Sequence, residues 1–425
     1  MGLKEILNTN LKHESKTLES KRKDALSTLE RTGFPTKSHE EWRFTNVSAI
    51  VNTQFTLVAE PKVNKHAIEK LAEYKFDANI IVIYNGKYAK ELSRIQEKNY
   101  KIFIGSFADA IAAGHEKVFE EHFGKYANDK ADGFTALNTS MINSGLLVYV
   151  PKNAEIEKPV VIINFIEESE KDVFANHRNL IVVETGGKGD VSEVFYANSK
   201  HSSFSNTVTE IFLGDNAELH HNKIQNEGAE AYHIGTTQVE QKNYSRFYST
   251  VVSWGGSLLR NNLNSVLNGE GIDCYFRGFY LVRGKQLIDN HTLADHAKPN
   301  SHSNELYKGL LDEEGTGVFN GKIMVRQDAQ KTNAYQTNTN ILLSNEATIN
   351  SKPQLEIFAD DVKCSHGATT GQINPDEVFY LRSRGISETE AKKLLLSAFA
   401  HEIIDEVANE ELKKLLIKTL DKKLG

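Results

Sequence analysis

The chain has 425 residues, 39% of them apolar, so it can bury a core and is not disordered as a whole; at about 150 residues per domain it predicts two to three domains or one long solenoid. Lys and Arg total 50 against 57 Asp and Glu, and the net charge of -7 excludes the single-signed basic surface that duplex binding draws on. With two cysteines, no CxxC spacing, no window near the ~18 apolar residues of a membrane span and no export signal after Met1, the expectation is a soluble cytoplasmic protein without disulfides.

Residues 3 to 31 place Leu3, Ile6, Leu7, Leu11, Leu18, Leu26 and Leu29 among many Lys and Glu. That three-to-four spacing predicts surface helices with one apolar stripe, stopped by Gly33 and Pro35. A second polar helix is expected around Lys65 to Glu73. The apolar runs Ile80 to Tyr84 and Lys101 to Ile104, separated by Asn85-Gly86, predict a small strand-containing module.

From about Phe134 to about Thr370 the texture is Val, Ile, Phe, Tyr, Thr and Asn in short runs between turns, and no helix is expected there. The runs include Leu146 to Val150, Val160 to Phe165, Leu180 to Glu184, Val191 to Tyr196, Ile211 to Leu213 and Ile341 to Leu343. A unit of a turn residue before an alternating stretch recurs at Asn153-Ala154, Gly189-Asp190, Asn216-Ala217 and Glu346-Ala347, at uneven spacing. Sandwich, barrel and solenoid all fit short strands without crossover helices. Asn333, Asn338, Asn340, Asn345 and Asn350 favour the parallel β-helix, whose stacked turns can align Asn side chains in hydrogen-bonded ladders.

Helix is expected again at the C-terminus. Ser387 and Glu390 have capping-box spacing, and Leu395, Phe399, Ile403 and Val407 follow at intervals of four. Read alone, this segment is a solvated cap over the end of the β-core, ahead of a docking surface. The organisation expected is residues 1–75 N-terminal and helical, 76–133 a small α/β module, 134–372 the β-helix core and 373–425 a helical domain removable without unfolding the core.

Among candidate functional residues, Cys364 and His366 lie two apart on an expected strand and so share a face. Thiolate and imidazole both bind iron, zinc or copper, but two ligands leave a tetrahedral site half empty, and a stable iron-sulfur cluster usually takes four protein ligands. On spacing alone a buried Cys beside a hydrogen-bonded His is the better reading. His291, His296 and His302, with Asp289, Asp295 and Glu305, form a second cluster in a segment that reads as loop, which favours surface histidines. Gly317 to Ile323 and Gly186 to Gly189 lack the residues of a phosphate loop or dinucleotide fingerprint and read as turns. A β-helix carbohydrate-active enzyme would need a groove constellation; Asp273, Arg277 and Arg283 form no such pattern.

Seven ordered stretches, between about residues 30 and 410, resemble the SufB/SufD scaffold family of iron-sulfur cluster assembly. They are Gly33-Phe34-Pro35 with Glu41-Trp42-Arg43-Phe44-Thr45, Phe134-Thr135-Ala136-Leu137-Asn138, His177-Arg178-Asn179-Leu180, Phe319-Asn320-Gly321-Lys322-Ile323, Asp328-Ala329-Gln330-Lys331-Thr332, Pro353-Gln354-Leu355-Glu356-Ile357 and Val378-Phe379-Tyr380-Leu381-Arg382-Ser383-Arg384-Gly385-Ile386. Ala359 to Gly367 is similar to the SufD branch. The resemblance implies a right-handed parallel β-helix core, pairing with SufB through that core, and docking of one SufC ATPase on the C-terminal helices, for which Tyr380, Leu381, Arg382 and Arg384 are the candidate contacts. It implies a non-catalytic subunit with no nucleotide site of its own. A transient iron-sulfur cluster would be shared with SufB, with His366 as a metal ligand and Cys364 as a second candidate. A structural homodimer without a metal role is the competing reading.

Overall fold

The structure is a computed structural model and describes residues 16–58, 63, 65–130, 132–142, 145–167 and 171–425. The first helix is Lys16–Thr32 (α1), closed by Gly33 in the left-handed region at φ +67, where a side chain would be strained. Leu18 and Leu29 are buried, whereas Leu3, Ile6, Leu7 and Leu11 lie outside the described residues. Ser48–Asn52 (α2) and Lys65–Leu71 (α3) follow, and then Asn79–Tyr84 (β1), Lys87–Tyr88 (β2) and Phe103–Ser106 (β3). Phe107–Ala112 (α4), Glu116–His122 (α5) and Gly133–Ser140 (α6) lead into the strands.

The expectation of no helix beyond Phe134 is corrected by α6. Asp132 caps it, accepting from the N–H groups of Phe134 and Thr135, and all eight of its residues are buried, so it has no polar face to give a periodic signal.

Strands then run in order: Gly145–Val150 (β4), Val160–Ile166 (β5), Val173–Val183 (β6), Lys188–Ala197 (β7), Ser203–Leu213 (β8), Glu218–Glu227 (β9), Ala231–Gln241 (β10), Arg246–Trp254 (β11), Leu258–Leu267 (β12) and Asp273–Val282 (β13). They continue as Leu287–His296 (β14), His302–Leu311 (β15), Thr316–Val325 (β16), Thr332–Leu342 (β17), Thr348–Ser351 (β18), Gln354–Ile357 (β19) and Val362–Gly371 (β20). Three helices close the chain, Pro375–Ser383 (α7), Glu388–Ile404 (α8) and Asn409-capped Glu410–Leu424 (α9).

From β4 to β18 the strands alternate between two ten-stranded sheets, an odd sheet ordered from β2 and β1 through β5 to β17 and β20 and an even sheet ordered from β3 and β4 through β16 to β18, with β19 also on β16. Pairing between successive turns is parallel and in register, as Phe247, Cys274, Ser303, Ala334 and Cys364 show by following one another from β11 to β20. The result is a parallel β-solenoid of about eight turns, with alternate residues of each strand facing its lumen. Its apolar filling includes Ile162, Val183, Leu219, Leu259, Phe276, Ile288 and Phe319.

The recurring units mark corners. Asn153 and Asn216 have φ of +56 and +59 and occupy the same corner two turns apart, Glu346-Ala347 lies at the opposite corner before β18, and Gly189-Asp190 is already inside β7. Two strands per turn therefore account for the uneven spacing. The ladders are not where the sequence placed them: Asn338 and Asn340 bond each other within β17, while Asn206 Nδ2 donates to Asn176 Oδ1 at 3.2 Å and Asn261 Nδ2 to Asn290 Oδ1 at 3.3 Å across turns. The Gly317 to Ile323 run is strand rather than turn, and its glycines face a crowded lumen: a Cβ at Gly321 would lie 2.3 Å from Gln336 Nε2.

The two outer faces are covered differently. Leu29, Trp42, Val47, Ile50, Phe55 and Phe134 pack on the even sheet at Phe174, Phe204, Ile234 and Leu258. On the odd sheet, Leu396, Ala400, Ile403, Leu412 and Leu416 of α8 and α9 cover Val252, Trp254, Phe279, Leu281 and Leu310. The C-terminal helices thus lie along the side of the solenoid and do not cap its end. Lys308 pairs with Glu402 and donates to Phe399 O at 3.3 Å, Arg277 pairs with Glu406 at 3.9 Å, and Arg283 donates to Lys423 O. Arg277 and Arg283 are therefore ties to the helices, not parts of a groove.

Candidate functional site

Strand β20 ends the odd sheet, bonded to β17 on one edge and to no strand on the other among the described residues. Cys364 and His366 both continue the inward column of β17, opposite Ala334 and Gln336. On earlier turns that column is sealed. Here no further turn among the described residues covers it, and His366 is exposed while Gln336 beneath it is 1% exposed.

Cys364 is half-buried against Ile323, Val325, Ala329, Ala334 and Leu355, and burial pushes its thiol up. It is protonated at neutral pH and binds metal only by losing that proton. Cys274 is fully enclosed in the lumen, where desolvation raises its pKa further. Among the described residues no three His, Cys, Asp or Glu side chains converge to hold a metal ion. Cys364 and His366 make at most an open pair.

Behind His366 the column is polar. Gln336 Nε2 donates to Glu305 Oε2 at 2.8 Å, and burial raises the Glu305 carboxyl to about 7. Glu305, with His296, therefore belongs to the lumen. The reading of His291, His296 and His302 as surface loop histidines is corrected: the segment forms β14 and β15, and His296 is fully buried, hydrogen-bonded to Ser303 at 2.8 Å with its pKa lowered by desolvation to about 3. Alternation sends Asp289 and His291 to the outer face instead. His291 Nε2 lies 3.0 Å from Asp289 and its Nδ1 3.3 Å from Glu41, Arg260 bonds Asp289 at 2.8 Å, and the Arg260 guanidinium stacks 3.8 Å over Trp42. This network clamps the Glu41 to Thr45 segment to the even sheet.

Sequence reasoning missed a buried polar cluster deeper in the lumen. Glu193 accepts from His221 at 2.9 Å, Thr209 at 2.8 Å and Asn179 at 2.8 Å, and His233 Nδ1 lies 3.0 Å from Glu227. Despite the desolvation that opposes it, these partners and Lys223 hold Glu193 at about 2, and burial brings Lys223 down to about 8. Strict alternation along β7, β9 and β10, had those strands been set in register, would have exposed the cluster. On the helices, Phe379 and Tyr380 are exposed at 73% and 57%, Leu381 is half-buried, and Arg384 stacks 5.2 Å over Tyr380 and bonds its hydroxyl at 3.2 Å. Arg382 pairs with Glu388 at 3.5 Å.

Comparison with known proteins defines the class. The family model for the SufBD core domain of SUF-system FeS cluster assembly matches residues 165–399, and the model for the SufBD N-terminal region matches 4–162. The chain belongs to the SufBD family of iron-sulfur cluster assembly proteins. It is 34% identical over 405 residues to a SufBD family protein of Synechocystis, covering 93% of this chain and 88% of the relative. Relatives that carry the name SufD are the iron-sulfur cluster assembly protein of Escherichia coli, 30% identical with 94% and 91% covered, and that of Bacillus subtilis, 28% identical with 88% of each covered. No helix among the described residues is long and apolar enough to cross a membrane.

Proposed function

We propose that this chain is the SufD-type subunit of a cytoplasmic SufB–SufC–SufD assembly and that it helps form a nascent iron-sulfur cluster at its boundary with SufB. The cluster is cargo. His366, neutral and exposed, supplies an imidazole nitrogen to iron, and SufB supplies thiolate and persulfide sulfur. Neither chain completes the ligand set alone, in keeping with the absence of any converging triad among the described residues. The free edge of β20 is the surface on which SufB pairs; a second copy of this chain takes its place when SufB is absent.

SufC docks on α7 to α9, where Phe379, Tyr380, Arg382 and Arg384 are exposed beside half-buried Leu381, and ATP hydrolysis there moves the helices against the odd sheet and opens the seam to iron and sulfur. The chain itself is non-catalytic. The observation that carries the proposal is His366, an exposed imidazole on the last strand of the solenoid, whose outer edge pairs with no strand among the described residues.

Anaerobic reconstitution of the three-chain assembly with His366→Ala tests it. The expected result is an intact assembly with little or no cluster by iron and sulfide analysis; a normal yield would remove His366 from the mechanism. Cys364→Ser in the same assay asks whether the thiol is a ligand or only packing.

A further inference from the structure

One lumen column crosses β15, β17 and β20. Glu305 pairs in register with Gln336, and Gln336 with His366. Paired strands lie about 4.8 Å apart, a gap that a side-chain amide spans. Gln336 Nε2 donates to Glu305 Oε2 at 2.8 Å. Once ionised, above about 7, the Glu305 carboxyl only accepts, so it then turns the amide nitrogen toward β15 and leaves the amide oxygen for another partner.

That oxygen, Oε1, is buried and has no partner among the described residues. Buried carbonyl oxygens in folded chains are rarely left so, and the next rung of the column carries an imidazole whose N–H is a suitable donor. The seat of Gln336 is kept open from the opposite sheet by Gly321, where a Cβ would lie 2.3 Å from Nε2 and 2.7 Å from the amide carbon.

We infer that Gln336 is a positioning residue for His366: its Oε1 accepts the N–H of one imidazole nitrogen and thereby leaves the lone pair of the other free for a metal ion at the open end of the solenoid. The ring nitrogen that binds a metal is set by the hydrogen bond the other one makes, and a neutral amide fixes the tautomer without adding charge beside the metal. Glu305 acts one rung further back, holding the amide in this sense. In its purpose, though not in its geometry, the inference rests on the reading of His366 as a metal-binding group.

The test needs no metal. In the full chain with nitrogen-15 histidine, well above the imidazole pKa of about 6.5, long-range proton-nitrogen spectra report the tautomer of His366, assigned by loss of its signals in His366→Ala. The expected ratio lies about five-fold from that of a free neutral imidazole, the size of one net hydrogen bond. Gln336→Leu should return it to the free value, and Glu305→Gln, which lets the amide turn over, should move it part of the way. A free-imidazole ratio for His366 in the unmodified chain overturns the inference whatever the Gln336 variant does, and so does an unchanged ratio in folded Gln336→Leu. A normal cluster yield in His366→Ala would defeat the metal role while leaving a shifted tautomer standing, so the two failures are separate.

Discussion

The lumen holds inward-facing histidines in two settings. His221 and His233 lie in mid-solenoid, enclosed by further turns on both sides and bonded to Glu193 and Glu227. His366 occupies an equivalent inward position on β20 but has no turn above it among the described residues. The same alternation that makes an imidazole part of the core in one place presents it to solvent in the other. Of these imidazoles, the one on the rung where the repeat stops is exposed to solvent, and those on the interior rungs are enclosed.

The largest effect is expected from removing residues 374 to 425. Sequence periodicity treats that segment as separable, but it covers Val252, Trp254, Phe279, Leu281 and Leu310. Each such side chain contributes about 1.5–3 kcal/mol when buried, so exposing five of them at once approaches the whole ~5–15 kcal/mol stability of a domain. The truncated chain should lack a cooperative thermal transition; a soluble core that still melts cooperatively would restore the separable reading.

Next in size is the buried pair of Arg178 and Glu210, 2.7 Å apart and at most 1% exposed, in which Glu210 also accepts from the N–H groups of Gly124, Tyr126 and Ala127. Arg178→Leu strands that carboxylate and should cost about 3–5 kcal/mol in urea unfolding. A loss below about 1 kcal/mol would mean that the even sheet does not depend on it.

Acid should weaken the interior. His177 is fully enclosed with both ring nitrogens unpartnered among the described residues, and burial lowers its pKa to about 4. Below about 6.5 the unfolded chain takes up this proton and the folded chain does not, so stability falls between about 6.5 and 4 with a slope near 1.4 kcal/mol per pH unit from this group. Glu305, raised to about 7, has the opposite sign: the folded chain keeps its proton longer, so its contribution declines as pH rises from about 4.5 to 7. The two windows overlap and their slopes oppose, so His177→Asn should flatten the loss of stability on acidification and Glu305→Gln should steepen it; parallel curves for variant and parent would refute the assignments.

The smallest change is expected at the open rung. His366→Ala should cost about 1 kcal/mol of unfolding stability, because the exposed side chain has only the inferred hydrogen bond to Gln336 to lose. A loss of several kcal/mol would put His366 among the structural histidines.

Much of the fold was legible. Runs such as Val160 to Phe165 mark strands directly, and Ser387 caps α8 through the N–H of Glu390 at 3.2 Å. The fold was also inferred in part from asparagines that do not form ladders, while those that do, Asn176 with Asn206 and Asn261 with Asn290, are separated by about one turn of chain. That separation is hidden until the register is known. The pairing of Cys364 with His366 on one face followed from strand alternation, but Gln336 and Glu305 lie one and two turns earlier and join the site only through register. His296 read as surface because Pro299, Asn300 and several Ser follow it, although its own alternation points inward.

The central claim is best tested by carbethoxylation of histidines in the intact chain, read residue by residue by mass spectrometry, alone and with SufB present. The account predicts rapid modification of His366, slow modification of His177, His221, His233 and His296, and protection of His366 when SufB is bound. Interior histidines reacting as fast as His366, or His366 reacting equally with saturating SufB, would contradict it.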